Sequence, residues 1–137
     1  HADTLTGSSS DNKIWGGDGN DTIHGGAGND TIYGGHGADT LYGDAGSDTF
    51  IVYMGRGNDT VDGGAAGGWT DTIALYDSAG LGAIGNYGVD WTLNLTSGSV
   101  TGMEGDHLDL SSDADGTITM SDGTTINFTD IERIQWS

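Results

Sequence analysis

The hydrophobic positions in the first half of the chain recur every nine residues. Each is a single apolar residue between two polar or aromatic ones, as in Thr22-Ile23-His24 and Thr31-Ile32-Tyr33. Because alternate side chains of a strand face opposite ways, the pattern predicts short β-strands with one inward residue each. The predicted inward residues are Leu5, Ile14, Ile23, Ile32, Leu41, Phe50, Val61 and Ile73.

Glycine-rich segments of six residues separate these strands. Four units, GGDGNDTIH, GGAGNDTIY, GGHGADTLY and GDAGSDTFI, run from Gly16 to Ile51 without a spacer, and degraded copies lie on both sides. Glycine accepts positive φ and close backbone approach, so these segments should reverse the chain between strands. Two units should then make one full turn, so that every second loop stacks in register about 4.8 Å apart.

One carboxylate per unit would then stack at each edge. The first column would hold Asp3, Asp21, Asp39 and Asp59, and the second Asn12, Asp30, Asp48 and Asp71. Bare carboxylates at that spacing repel one another, so cations are expected between them. Carboxylate and carbonyl oxygens without thiolates favour a hard, flexibly coordinated ion, and Ca²⁺ fits better than Mg²⁺ or the softer metals.

The nonapeptide pattern resembles the calcium-binding repeat of the RTX (hemolysin-type) family. The resemblance implies a right-handed parallel β-roll over residues 1–75, with ions held between loops two repeats apart. The implied pairs are Asp21 with Asp39, Asp30 with Asp48, and Asp39 with Asp59, with outer sites at Asp3 with Asp21 and Asp48 with Asp71. Implied carbonyl ligands are Gly17, Asp18, Gly19, Gly26, Ala27, Gly28, Gly35, His36, Gly37, Asp44, Ala45, Gly46, Gly55, Arg56 and Gly57.

Three to five calcium ions are expected. Asn12 departs from the pattern, so its site should be weak or empty. Insertions at Val52-Tyr53 and Ala65-Ala66 make the last sites less regular.

The net charge of the chain limits the classes of partner that it could bind. It carries 21 acidic residues against three basic ones, a formal net charge of −18, which argues against nucleic acid or an anionic membrane as a partner. There is no cysteine for a disulfide and no apolar run long enough for a membrane span. We expect the chain to be a module of a longer protein, because it opens with His1 and not with Met. We also expect it to be monomeric. The family resemblance implies export by type I secretion, folding outside the cell, and attached domains.

Residues 76–137 lose the nine-residue period and predict a C-terminal β cap packed on the roll in one cooperative domain. Trp91 to Leu95 alternates, Thr117 to Met120 and Thr124 to Phe128 flank a turn, and Ile131 to Trp136 predicts a last strand. The segment from Asp122 to Trp136 resembles the C-terminal tails of secreted bacterial RTX proteins.

Aromatic residues at the ninth position predict a second function. Trp15 and Tyr33 should share one outer face, and Tyr42 should lie with His24 on the other. Such rows could stack on sugar rings, and the chain resembles the alginate-binding R-modules of mannuronan C5-epimerases. The alternative is that aromatics simply favour strands.

Catalysis is not expected. The sequence has no zinc-binding His-Glu-x-x-His motif and no nucleophile elbow, and Asp106-His107-Leu108-Asp109 is a weak basis for a triad. The glycine loops also lack the lysine of a phosphate-binding loop.

A structural unit of an adhesin or surface layer is a third alternative.

Overall fold

The computed structural model describes residues 1–64, 68–76 and 90–136, which contain strands and no helix. No helix in these ranges is long and apolar enough to cross a membrane. The strands are β1 Thr4–Thr6, β2 Lys13–Asp18, β3 Thr22–Ala27, β4 Thr31–His36, β5 Thr40–Ala45, β6 Thr49–Tyr53, β7 Asp59–Asp62, β8 Thr72–Tyr76, β9 Trp91–Ser97, β10 Val100–Glu104, β11 His107–Leu110, β12 Asp115–Met120, β13 Thr125–Thr129 and β14 Arg133–Gln135.

The first eight strands form a β-roll. Odd-numbered strands pair in parallel in one sheet and even-numbered strands in the other, so two repeats complete each turn. Ile14 pairs with Ile32 and Ile23 with Leu41. The strands are longer than the predicted trios because the first glycines of each loop continue the ladder, as in the pairing of Gly17 with Gly35.

The inserted residues do not break the register. Leu41 still pairs with Val61, and Phe50 with Ile73. Val52 and Tyr53 extend β6, and Val52 adds an inward side chain that is 2 % exposed and pairs with Leu75. The other insertion, Ala65-Ala66, lies outside the described residues.

The predicted inward residues form the core of the roll. From Ile23 to Ile73 they are at most 1 % exposed, whereas Leu5 and Ile14 are partly buried because β1 and β2 are the end strands of their sheets. Full burial of such a side chain contributes about 1.5–3 kcal/mol. Beside this single file of apolar residues, the parallel pairing of the strands joins neighbouring turns.

The C-terminal strands extend both sheets of the roll. β13 pairs in parallel with β7, and β14 with β8, while β12, β9, β11 and β10 continue the sheets with antiparallel pairs. The predicted β-roll with a C-terminal β cap is confirmed, including the β12–β13 hairpin. The segment from Ser78 to Gly88 lies outside the described residues, and the division into residues 1–75 and 76–137 stays a prediction.

β10 and β11 were not predicted from the sequence. Val100 and Met103 of β10 are 47 % and 62 % exposed, and the register of the pair shifts between Val100 and Gly102. An irregular edge strand with outward apolar residues has no regular alternation to detect.

Candidate metal centre

The structure aligns the carboxylates in the two predicted columns. The threonines that directly follow them pair in register: Thr4 with Thr22, Thr22 with Thr40, and Thr40 with Thr60 on one side. On the other side the register partners are Lys13 with Thr31, Thr31 with Thr49, and Thr49 with Thr72. Stacking therefore follows directly from the parallel pairing of the strands.

A hydrogen-bond ladder orients these carboxylates. The main-chain N–H of Asp21 donates to Oδ1 of Asp39 at 2.8 Å, and that of Asp30 to Oδ1 of Asp48 at 2.7 Å. The same bond joins Asp3 to Asp21, Asn12 to Asp30, Asp39 to Asp59 and Asp48 to Asp71. Each bond turns a carboxylate inward, and all six acceptor residues are at most 5 % exposed.

The other oxygen of these carboxylates has no partner. Oδ2 of Asp21, Asp30, Asp39 and Asp48 is buried without a hydrogen bond. A buried ionised oxygen in that state is costly unless a cation or a proton meets it. These four atoms therefore mark positions where a positively charged ligand is required.

The first glycine of each loop leaves space beside the free oxygen. A Cβ placed on Gly25 would lie 2.6 Å from Oδ2 of Asp30 and 2.8 Å from the carbonyl oxygen of Gly43. Only a residue without a side chain fits there. The carboxylate oxygen and a carbonyl from the next turn thus face the same small cradle.

Burial raises the pKa of the last two aspartates of each column, Asp39 and Asp59 in the first and Asp48 and Asp71 in the second. The pKa of Asp39 is raised, that of Asp48 and of Asp59 reaches about 6, and that of Asp71 reaches about 7. Loss of hydration is the main cause, and the neighbouring carboxylate in the column adds to it. Without a cation, the folded chain therefore holds these groups in an unfavourable charged state near neutral pH.

The remaining oxygen donors belong to the backbone. No three His, Asp or Glu side chains within the described ranges group as a metal site. A hard ion at these loops must therefore also use carbonyl oxygens, and such a donor set fits Ca²⁺.

Loop residues alternate through positive φ, at Gly17 and Gly19 for example, with Asp44 at 69° in place of a glycine. Asp18 pairs with His36 in the strand register, and Ala27 pairs with Ala45. The loops with the predicted carbonyl ligands therefore lie in register.

The sequence of these loops matches a known family. The family model described as the RTX calcium-binding nonapeptide repeat (4 copies) matches residues 1–32, 15–50 and 55–66. The repeats of this chain are therefore similar to the calcium-binding nonapeptide repeats of the RTX family. The family match and the oxygen-lined cradles agree on calcium as the ion that the repeats bind.

The fold is similar to that of a solved epimerase subunit. The solution structure of the AlgE6R3 subunit from the Azotobacter vinelandii mannuronan C5-epimerase is similar with a TM-score of 0.54 and 23 % identity, over 93 % of this chain and 71 % of that one. At this identity the similarity is one of fold. No curated protein matches the chain by sequence.

The first turn of the RTX repeats differs from the others. Oδ1 of Asn12 accepts hydrogen bonds from the N–H of Ser8 at 2.6 Å and from its hydroxyl. The carboxylate of Asp3 is exposed and contacts the ring of His1 at 2.8 Å. Neither side chain presents a buried free oxygen, and the weakness of the Asn12 site stays a prediction.

Two side-chain features beside the carboxylate columns were missed from sequence, one in the RTX loops and one in the cap. One is a set of asparagines whose Oδ1 accepts a main-chain N–H from the next turn: Asn20 from Ala38, Asn29 from Ser47, and Asn58 from Thr125. The other is Glu132, whose Oε2 accepts the N–H of Asp71 at 2.8 Å. The order acidic, polar, aliphatic in Glu132-Arg133-Ile134, as in Asp71-Thr72-Ile73, was the available signal.

The outward faces of the RTX repeats carry stacked rings as predicted. Trp15 and Tyr33 have ring centroids 5.2 Å apart and planes 12° apart, and Nζ of Lys13 lies 5.7 Å from the Trp15 ring. His24 and Tyr42 stack on the other face at 4.5 Å and 8°. Trp15 remains 57 % exposed.

His36 and His107 have other neighbours. His36 contacts the guanidinium of Arg56 through Nε2. Nδ1 of His107 lies 2.7 Å from Oδ1 of Asp106, and its Nε2 lies 3.7 Å from Oδ2 of Asp109. The other oxygen of Asp109, Oδ1, accepts a hydrogen bond from Nε of Arg133 at 2.9 Å. The His107 ring therefore sits between two carboxylates.

Proposed function

We propose that this chain is a non-catalytic module that folds when its RTX repeats bind calcium outside the cell, and so supports secretion and stability of attached domains. The observation that carries the proposal is the set of four buried Oδ2 atoms without hydrogen bonds in a chain of net charge −18. Calcium would supply the positive charge that these atoms lack.

The proposed ligands follow the ladder. Each ion is held between consecutive members of a column, chiefly Asp21 with Asp39, Asp30 with Asp48, and Asp39 with Asp59. The loop carbonyls predicted from the family pattern complete the shell. Asp3 with Asp21 and Asp48 with Asp71 are outer sites, for three to five ions in all.

Folding and binding are then one equilibrium. The carbonyls of one site come from loops that adjoin only in the rolled chain, so the unfolded chain has no comparable site, and binding free energy adds to folding. Individual sites with affinities on the order of 10⁻⁴–10⁻³ M, as in extracellular calcium modules, would suffice when several fill together. Such a module stays unfolded where calcium is scarce, as type I export requires, and folds after release.

A calcium titration of the whole chain tests this proposal. Far-UV circular dichroism should show little strand structure in excess chelator and a cooperative gain as calcium rises. Magnesium at the same concentration and ionic strength serves as the control and should not substitute. A chain that is fully folded in chelator contradicts the proposal.

Polysaccharide binding is a second candidate function, favoured by the exposed Trp15–Tyr33 stack. Flat aromatic rings on a rigid sheet can pack against sugar rings, and Lys13 beside them could contact an anionic group. Tyr42 would contribute in the same way on the other face.

Calorimetry with alginate and with neutral glycans, in saturating calcium, tests this second function. Binding heat that Trp15→Ala abolishes supports a glycan surface at the stack. Trp69→Ala is the matched control, because Trp69 is 37 % exposed outside the stack. Absence of heat with every glycan, or equal loss in both variants, contradicts it.

A further inference from the structure

The second column does not end with the repeats. Arg133 of β14 pairs with Thr72 of β8, which places Glu132 directly above Asp71. The N–H of Asp71 donates to Oε2 of Glu132 at 2.8 Å, as the N–H of Asp48 donates to Oδ1 of Asp71 at 2.7 Å. The cap therefore contributes a carboxylate at the position that an aspartate occupies in each repeat.

The cap also continues the row of carbonyl oxygens beside the cradles. A Cβ on Gly43 would lie 2.7 Å from the carbonyl oxygen of Gly63. A Cβ on Gly63 would meet the carbonyl oxygen of Asp130 in the same way, and would lie 2.8 Å from Oδ2 of Asp71. Asp130 has φ of 51°, the left-handed conformation that the repeats use at their loops.

The cradle at Gly63 thus contains the same kinds of atoms as those of the repeats. Asp71 is 1 % exposed, with one oxygen bonded to Asp48 and the other directed at Gly63. Glu132 is half-buried, and its own N–H lies 3.2 Å from the carbonyl oxygen of Asp71.

The first column ends differently. Ile126 of β13 pairs with Asp59, so an isoleucine that is 0 % exposed occupies the next carboxylate position. An apolar side chain offers no ligand there. The cap therefore ends the first column with the apolar side chain of Ile126 and continues the second with the carboxylate of Glu132.

We infer that one further calcium site joins the roll to the cap, with Asp71, Glu132 and the carbonyl oxygen of Asp130 among its ligands. This inference rests on the proposed function and adds a ligand that the nonapeptide pattern does not contain. Because Glu132 lies in the cap, an ion there would couple cap docking to calcium, while the ions between repeats act within the roll.

Glu132→Gln is the direct test, since it keeps an acceptor for the N–H of Asp71 but removes the charged ligand. Glu104→Gln is the matched control, because Glu104 is the only other glutamate and is exposed on β10. Bound calcium per chain is measured by equilibrium dialysis with metal analysis, with circular dichroism to verify folding. We expect one ion fewer in Glu132→Gln than in wild type, and no loss in Glu104→Gln.

Glu132→Asp provides a second variant that restores the ligand type of the repeats. It should bind as many ions as wild type, including where Glu132→Gln fails to fold. Equal stoichiometry in wild type and Glu132→Gln, or one ion fewer in Glu132→Asp, overturns the inference. A wild-type chain that binds no calcium would instead refute the proposed function itself.

Discussion

The main-chain N–H of Asp30 donates to Oδ1 of Asp48 across one full turn of the roll, at 2.7 Å and 18 residues along the chain. This bond uses one carboxylate oxygen to define the turn-to-turn register and leaves the other, Oδ2, buried without a partner. The same group thus serves both as an element of the backbone ladder and as a proposed calcium ligand. Substitutions in the columns should therefore affect folding and binding together.

Asp39→Asn should weaken calcium-induced folding more than Asp3→Asn. Asp39 is 1 % exposed and belongs to two proposed sites, whereas Asp3 is exposed at the end of the column. Loss of a buried charged partner should cost about 1–3 kcal/mol in the free energy of folding at fixed calcium. Circular dichroism across a calcium titration measures the two midpoints. Equal shifts would count against the assignment of the inner sites.

The chain in excess chelator should gain structure as pH falls. The pKa of Asp71 is about 7 and that of Asp48 about 6 in the folded chain, above the ordinary aspartate value of 3.8. Since the folded state then binds protons more tightly, folding becomes more favourable from pH 7.5 down towards the unfolded pKa. Circular dichroism at pH 7.5 and 5.5 should show more strand at the lower pH.

Saturating calcium should reverse this pH dependence. Protons and calcium compete for the same carboxylates, so the calcium midpoint should rise as pH falls. Asp71→Asn should reduce the response in chelator, because it removes the group with the highest pKa. An unchanged chelator profile between pH 7.5 and 5.5 would contradict the prediction.

Gly25→Ala should destabilise the calcium-loaded chain. The new Cβ would press on Oδ2 of Asp30 at 2.6 Å and on the Gly43 carbonyl, which occupy the cradle. Gly105→Ala is the control, because a Cβ there meets no atom within 4 Å. Urea unfolding in saturating calcium measures the free energy of unfolding. It should fall by about 1–3 kcal/mol in Gly25→Ala, as at other overpacked sites, and change little in Gly105→Ala.

Ile32→Ala should destabilise the roll through its core rather than its loops. Ile32 is 0 % exposed between Ile14 and Phe50, and such truncations cost about 2–5 kcal/mol. Val100 is 47 % exposed, so Val100→Ala should change the free energy of unfolding by no more than about 0.5 kcal/mol. Urea unfolding in saturating calcium measures both, and equal effects would argue against the single-file core.

The repeat half of the fold was predictable because it is periodic. Once Ile23, Ile32 and Leu41 are placed inward, the positions of the loops, the two columns and the outward rings all follow. The ring stack of Trp15 on Tyr33 and the pairing of His24 with Tyr42 agree with that expectation. The insertion at Val52-Tyr53 was the exception, since only the structure revealed that both residues belong to β6 and that Val52 adds to the core.

The nine-residue period predicts the coil, its two carboxylate columns and its need for a hard cation, because each repeat contains its own strand, loop and carboxylate. The way in which the two columns end could not be predicted in this manner, because it depends on contacts between the roll and the cap. Asp71 and Glu132 are 61 positions apart, and Ile126 meets Asp59 only through the pairing of β13 with β7. Such contacts depend on how the aperiodic cap docks, because register between distant strands is set by packing rather than by local sequence.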